Sequence, residues 1–253
     1  MLEGISSFVK IFVRKKGKTM SVERFKGEIA ALSALDDPIR LKLYRVLADA
    51  ADWINRDQAA AALGIARHVA KFNLDRLEEE GLLEVDYKRP SGRQGPGAGR
   101  PTKYYRRSTR EISVTLPERH YDFAGSLLAR AIMDSTETGG PIVEALRKSA
   151  RTAGKSIARE VVDRVGSVSN QSKIESTEEK IVEVLAEHGY EPKKDLEGIS
   201  LLNCPFHSLA KEYTALVCGM NEDIISSLLE ELPTQLHALL QPEDGRCCIR
   251  LVN

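Results

Sequence analysis

The sequence predicts a mainly α fold with a small β component, and three observations predict it. Two short helical patterns meet at Gly64 and are followed by strand-like segments on either side of a Gly/Pro-rich tip. Long stripes of apolar residues at helical spacing run through residues 118–165. Shorter segments of mixed type fill the remainder, which also holds every cysteine of the chain. With 253 residues, of which 42% are hydrophobic, the chain is long enough to bury two cores.

Taken in order, Asp37-Pro38 marks a helix start, with Leu41, Leu43, Tyr44 and Leu47 on its packing side. Arg56 to Leu63 reads as a short helix stopped by Gly64. From Ile65 to Glu80 a second helix places Ala70, Leu74 and Leu77 at i, i+4 and i+7, so one stripe faces inward. Its opposite face carries Arg67, His68, Lys71, Phe72 and Arg76. Gly81 supplies the left-handed conformation that a helix C-terminus favours. Leu82–Lys88 has strand composition, Pro90 to Pro101 forms a tip, and Lys103–Arg106 returns as a second strand. This order is that of a helix-turn-helix with a wing, and it predicts double-stranded DNA as the partner.

Charge supports that expectation locally. The chain balances 37 basic against 37 acidic residues, yet from Asp86 to Arg110 there are eight basic residues and one acidic. Such a hairpin, with Arg93 and Arg100 on its tip and Lys103 and Arg106 on its return strand, can neutralise phosphates and release counterions. A tip of this kind can also enter a minor groove. On the helix, Asn73 could grip an adenine edge and Arg67 or Arg76 a guanine, with Lys71 and Arg76 alternatively holding phosphates. The plainer reading is a solvated hairpin beside an ordinary helical pair.

Further on, Ile112–Pro117 alternates and is expected as a short strand. A helix from Glu118 carries Tyr121, Leu127, Leu128, Ala131 and Ile132, and another spans Ile142 to Val165. A polar joint at 166–177 precedes a helix over 178–187, a hairpin over 190–203, helices near 209–217 and 222–232, and a strand over 247–253. The expected divisions are an N-terminal extension at 1–21, a winged helix-turn-helix domain at 22–117, a helical dimerisation or linking region at 118–165, and an α+β sensor-like domain at 178–253. The extension has its charges after its apolar stretch, the wrong order for a secretory signal, and the sequence leaves open whether Met1 or Met20 is the start. No stretch of the sequence approaches a membrane span, so a cytoplasmic protein without a membrane partner is expected.

The cysteines Cys204, Cys218, Cys247 and Cys248 carry the second chemical signal. Cys204-Pro205-Phe206-His207 places a thiol and an imidazole at a spacing that lets both turn toward one ion. In a reducing compartment such thiols point to metal binding or redox chemistry more than to a structural disulfide. Adjacent Cys247 and Cys248 on a strand would face opposite ways. His237 is a further candidate ligand, although QLHALL reads as helical. Cys204 as nucleophile with His207 as base is an enzymic alternative, but residues so close on a turn rarely align for proton transfer. No GxxxxGK[ST] phosphate cradle occurs. A non-enzymic regulator is therefore favoured, with a protein-binding adaptor as the other alternative.

The run LGIARHVAKFNLDRLEEEGLLEVDYKRPSGRQGPGAGRPTKYYRR resembles the DNA-binding half of the ArsR-type winged-helix regulators, and its wing is similar to that of the SufR-like branch. Those relatives carry a Ser-Thr pair early in the reading helix and a histidine before its central leucine. Here His68-Val69 and Asn73 stand in those places, so the base contacts need not carry over. The resemblance implies a homodimer paired through helices after the wing, on half-sites roughly 34–36 Å apart. It also implies an iron–sulfur cluster held by Cys204, Cys218 and one of Cys247 and Cys248; the Cys204–His207 half-site suits zinc as the alternative, and a bare thiol cluster is the third reading.

Overall fold

The computed structural model describes residues 22–89, 101–165, 170–243 and 245–253. The expected extension at 1–21 and the hairpin tip with Arg93 and Arg100 lie outside these residues. The fold is mainly α with two small antiparallel sheets. It divides into two units, Met1–Val114 and Thr115–Asn253.

The first unit opens with α1 (Val22–Ala34) and α2 (Pro38–Asp49). Asp37 caps α2, its carboxylate accepting from the Ile39 and Arg40 amides at 2.9 Å each, and Pro38 costs nothing where no donor is needed. After β1 (Ile54–Asn55), Asn55 and Gln58 form a reciprocal capping box on α3 (Arg56–Leu63). Gly64 then turns the chain at φ 63° into α4 (Arg67–Glu79). The inward stripe is as the spacing predicts, with Ala70, Leu74 and Leu77 fully buried. Leu74 and Leu77 join Leu43, Leu47, Ala59, Leu82, Leu83 and Tyr105 in one core. Each such leucine contributes about 1.5–3 kcal/mol when buried.

Gly81, at φ 72°, leads into β2 (Leu83–Lys88), which pairs antiparallel with β3 (Thr102–Arg107) from Leu83↔Arg107 to Lys88↔Thr102. β1 flanks the other side of β3, giving the order β1-β3-β2. The strand expected at 112–117 is absent: those residues pair with no neighbour. Ile112 packs its side chain against the first core instead, so the alternation reflects one buried contact rather than a ladder.

The second unit is built on α5 (Tyr121–Thr138), α6 (Ile142–Val165), α7 (Asn170–Glu187) and α9 (Thr214–Glu230), with the short α8 (His207–Glu212) ahead of α9. α6 presents Leu146, Ala150, Gly154, Ile157, Ala158 and Val161 to the interior. At Gly154 the approach is close, since a Cβ there would lie 2.2 Å from the Ile224 carbonyl oxygen of α9. Strands β4 (Pro192–Asp195), β5 (Gly198–Leu201), β6 (His237–Leu240) and β7 (Ile249–Val252) form an antiparallel sheet of order β4-β5-β7-β6.

The chain divides at Val114–Thr115, close to the division expected at 117/118, and residues 170–177 of the polar joint belong to α7. The helices of 118–165 share one hydrophobic core with the cysteine-bearing part, because their buried stripes meet α9. His237 stands on the edge strand β6, not on a helix. Among the described residues no helix is long and apolar enough to cross a membrane.

Candidate functional site

Two sites emerge, one in each unit. In the first, burying one side of α4 leaves the other to solvent. Phe72 is 69% exposed, and Arg67, His68, Lys71 and Arg76 are also exposed. Their charges are met within the chain: Arg67 by Asp57 at 3.1 Å, Lys71 by Asp75 at 2.9 Å, and Arg76 by Glu79 and Glu80 at 3.1 and 2.7 Å. Val69 is half-buried. Asn73 is buried, and its side-chain amide donates to the Val69 carbonyl at 2.9 Å. It therefore braces the helix and does not present an amide edge outward.

The hairpin strands carry two different sets of side chains. On one face Lys103 is held by Asp75 and Glu78, and the Tyr105 hydroxyl donates to Asp75 at 2.8 Å. Burial alone would raise the Asp75 carboxyl, but hydrogen bonds from Lys103, Lys71 and Tyr105 outweigh it and bring it to about 2. Lys103 is thus a strut between the hairpin and α4 rather than a free cation. On the other face Arg106 pairs with Glu84 at 2.6 Å and lies 4.5 Å from the Trp53 ring centre, with Lys88 5.2 Å from the same ring. Arg106 stays half-exposed there, available to a further anion.

In the second unit the four thiols interact as a chain. Cys247 meets both Cys204 and Cys248, and Cys218 meets Cys248. None is joined in a disulfide; Cys204, Cys218 and Cys247 are buried and Cys248 is half-buried. The expectation that Cys247 and Cys248 face apart fails because β7 begins only at Ile249, and the two cysteines lie in the bend before it. Both sulfurs therefore reach the same cluster. The Cys247 thiol is raised by its bonds to Cys204 and Cys248 and by burial. The Cys218 thiol is raised by burial and by its bond to Cys248. Hydrogen bonding from Cys247 lowers Cys204 and Cys248 despite their burial.

A polar scaffold supports these sulfurs. The Asn221 side-chain amide donates to the Cys247 sulfur at 3.2 Å, and its oxygen accepts from the Tyr190 hydroxyl at 2.6 Å. Asn221 and Tyr190 are each 1% exposed. The spacing Cys218-Gly-Met-Asn221 on a helix puts both side chains on one face, which was the available sequence signal. His207 is not brought to the thiols; its imidazole makes no hydrogen bond to them and is lowered by burial and by the Lys211 and Arg119 cations. His237 lies exposed on β6.

Sulfur donors of this kind suit an iron–sulfur cluster or zinc. Cys204, Cys218, Cys247 and Cys248 are the residues that would hold either one. They stand in a row, and among the described residues no three His, Cys, Asp or Glu side chains form a ready-made metal cage. No protein-family model matches the chain, and no curated protein matches it as a relative.

Proposed function

We propose that this chain is a DNA-binding transcription regulator built on a winged helix, whose hold on DNA responds to the state of the thiol cluster. One observation carries the reading: α4 follows a glycine turn, precedes a β-hairpin, and exposes Arg67, His68, Lys71, Phe72 and Arg76 while burying Ala70, Leu74 and Leu77. The intramolecular ion pairs on this face do not oppose it. Exposed pairs contribute about 0–1 kcal/mol each, so a phosphate can take over such a cation at little cost.

In the second unit, Cys204, Cys218, Cys247 and Cys248 are assigned to an iron–sulfur cluster, or to zinc in its place. Bound there, a cluster supplies an electron-accepting centre and zinc a tetrahedral crosslink. Four free thiols that interact as a chain fit a reducing, cytoplasmic setting. Exposed Ile132, Met133, Ile142 and Val143, at the α5–α6 end, support pairing with a second copy of the chain.

The test is fluorescence anisotropy of the full chain on a random-sequence duplex across a salt series. Replacing Arg67, Lys71 and Arg76 by alanine should flatten the slope of log affinity against log salt by roughly 2–3, at about 0.9 per lost phosphate contact. An unchanged slope overturns the DNA-binding reading. Metal analysis and the visible spectrum of anaerobically purified protein then separate an iron–sulfur cluster from zinc.

A further inference from the structure

The segment that leads into α5 is bonded along its length to the loop that carries Cys204. Arg119 Nη1 donates to the Cys204 carbonyl at 2.9 Å and to the Asn203 side-chain oxygen. The Asn203 amide donates in turn to the Glu118 carbonyl at 3.0 Å and to the Gly189 carbonyl at 2.6 Å. The His120 amide donates to the Pro205 carbonyl at 3.0 Å. Tyr121 and Ser208 join through their hydroxyls at 2.9 Å, and the Phe123 and Phe206 rings lie 6.2 Å apart. Residues 118–123 and 203–208 are therefore laced together, through three backbone carbonyls and through paired side chains.

We propose that Arg119 and Asn203 couple the thiol site to the entry of the second unit, so that any change in the position of Cys204 is imposed on residues 118–123. The proposal rests on the reading of the thiols as a regulatory site. Three features favour it over plain packing. The contacts to Cys204 and Pro205 are made to carbonyls, so they follow the path of the chain at the thiol and not the bulk of a side chain. Asn203 is 5% exposed and its amide bridges two separate carbonyls, which leaves it no freedom to absorb a shift. The units are joined covalently at Val114–Thr115, just ahead of Arg119, so this is the stretch of chain through which a shift at the thiols can be handed on. Arg119 and Asn203 are positioning residues in this scheme, and neither binds the ligand.

The experiment is hydrogen–deuterium exchange on the full chain, metal-free and loaded with Zn²⁺ alone. Zinc should slow exchange of the Arg119 and His120 amides roughly tenfold in the wild type, because tightening the Cys204 loop raises the free energy of opening this segment. In Arg119→Lys, with zinc uptake and circular dichroism as in the wild type, the slowing should shrink to less than about twofold. Zinc uptake without a change at 118–124, or the same slowing in the variant, overturns the coupling and leaves the thiol reading in place. The comparison within wild type decides the matter even where the variant fails to fold. Should the wild type take up no zinc, Cys204→Ser becomes the perturbation. Altered exchange at 118–124 in that variant supports the coupling and excludes only zinc, whereas unaltered exchange overturns the coupling together with the regulatory reading.

Discussion

Asp75 shows how one side chain can hold two elements in register. One carboxylate oxygen takes Lys71 from its own helix, and the other takes Lys103 and Tyr105 from β3. Its carboxyl is shifted down from 3.8 to about 2. A depressed folded-state value means stability that is present above pH 3.8 and lost as pH falls through about 2. Asp75→Asn should therefore lower the urea midpoint near neutral pH, and its difference from the wild type should vanish between pH 4 and about 2. A constant difference across that range would show a packing effect only. Asn221→Ala should cost about 1–3 kcal/mol in urea unfolding, because Tyr190 would be left buried without an acceptor. Much at this scale could be read from periodicity. Ala70, Leu74 and Leu77 fix the buried side of α4, and Asn73 falls on that side, though its polar identity suggests the opposite. Lys103 shares a strand face with Tyr105, so its turn toward α4 was implicit in the alternation of β3.

Among the elements, the crossing of α6 and α9 at Gly154 is the least tolerant of change. A Cβ would lie 2.2 Å from the Ile224 carbonyl oxygen and 3.0 Å from the Leu228 nitrogen, and neither backbone atom can step aside alone. Gly154→Ala should destabilise by about 1–3 kcal/mol despite the higher helix propensity of alanine, as measured by chemical unfolding. Asn55→Ala should cost about 1 kcal/mol through loss of the α3 capping box, a smaller effect that the same method resolves. Helices with a clear stripe and a capping signal, such as α2, α3 and α4, were legible in sequence. β6 was not, because His237-Ala-Leu-Leu has no alternation of its own and becomes a strand only by pairing with β7. The reverse happened at 112–117, where alternation exists and no partner does.

For the whole molecule, charge and apolar exposure set the expected behaviour. Net charge is zero, so the proposed attraction to DNA would rest on local segregation of charge and should collapse steeply with salt. For the proposed dimer, Ile132→Glu together with Val143→Glu should shift sedimentation to that of a monomer while leaving circular dichroism unchanged; sedimentation that does not change overturns this pairing surface. A chain of this length has room for two cores, but how the helices after residue 117 group was not visible in the sequence. Whether α5 and α6 form a separate region or join the thiol-bearing core depends on which distant helix their stripes meet, and α9 lies far along the chain. A related delay follows from the placement of β7 between β5 and β6, with Ser200 opposite Arg250. Cys247 and Cys248 are delivered to Cys204 and Cys218 only when that inner strand is inserted. During synthesis Cys204 and Cys218 therefore emerge before the strand that completes their surroundings, so slow insertion of β7 lengthens the time they stand open to oxidation.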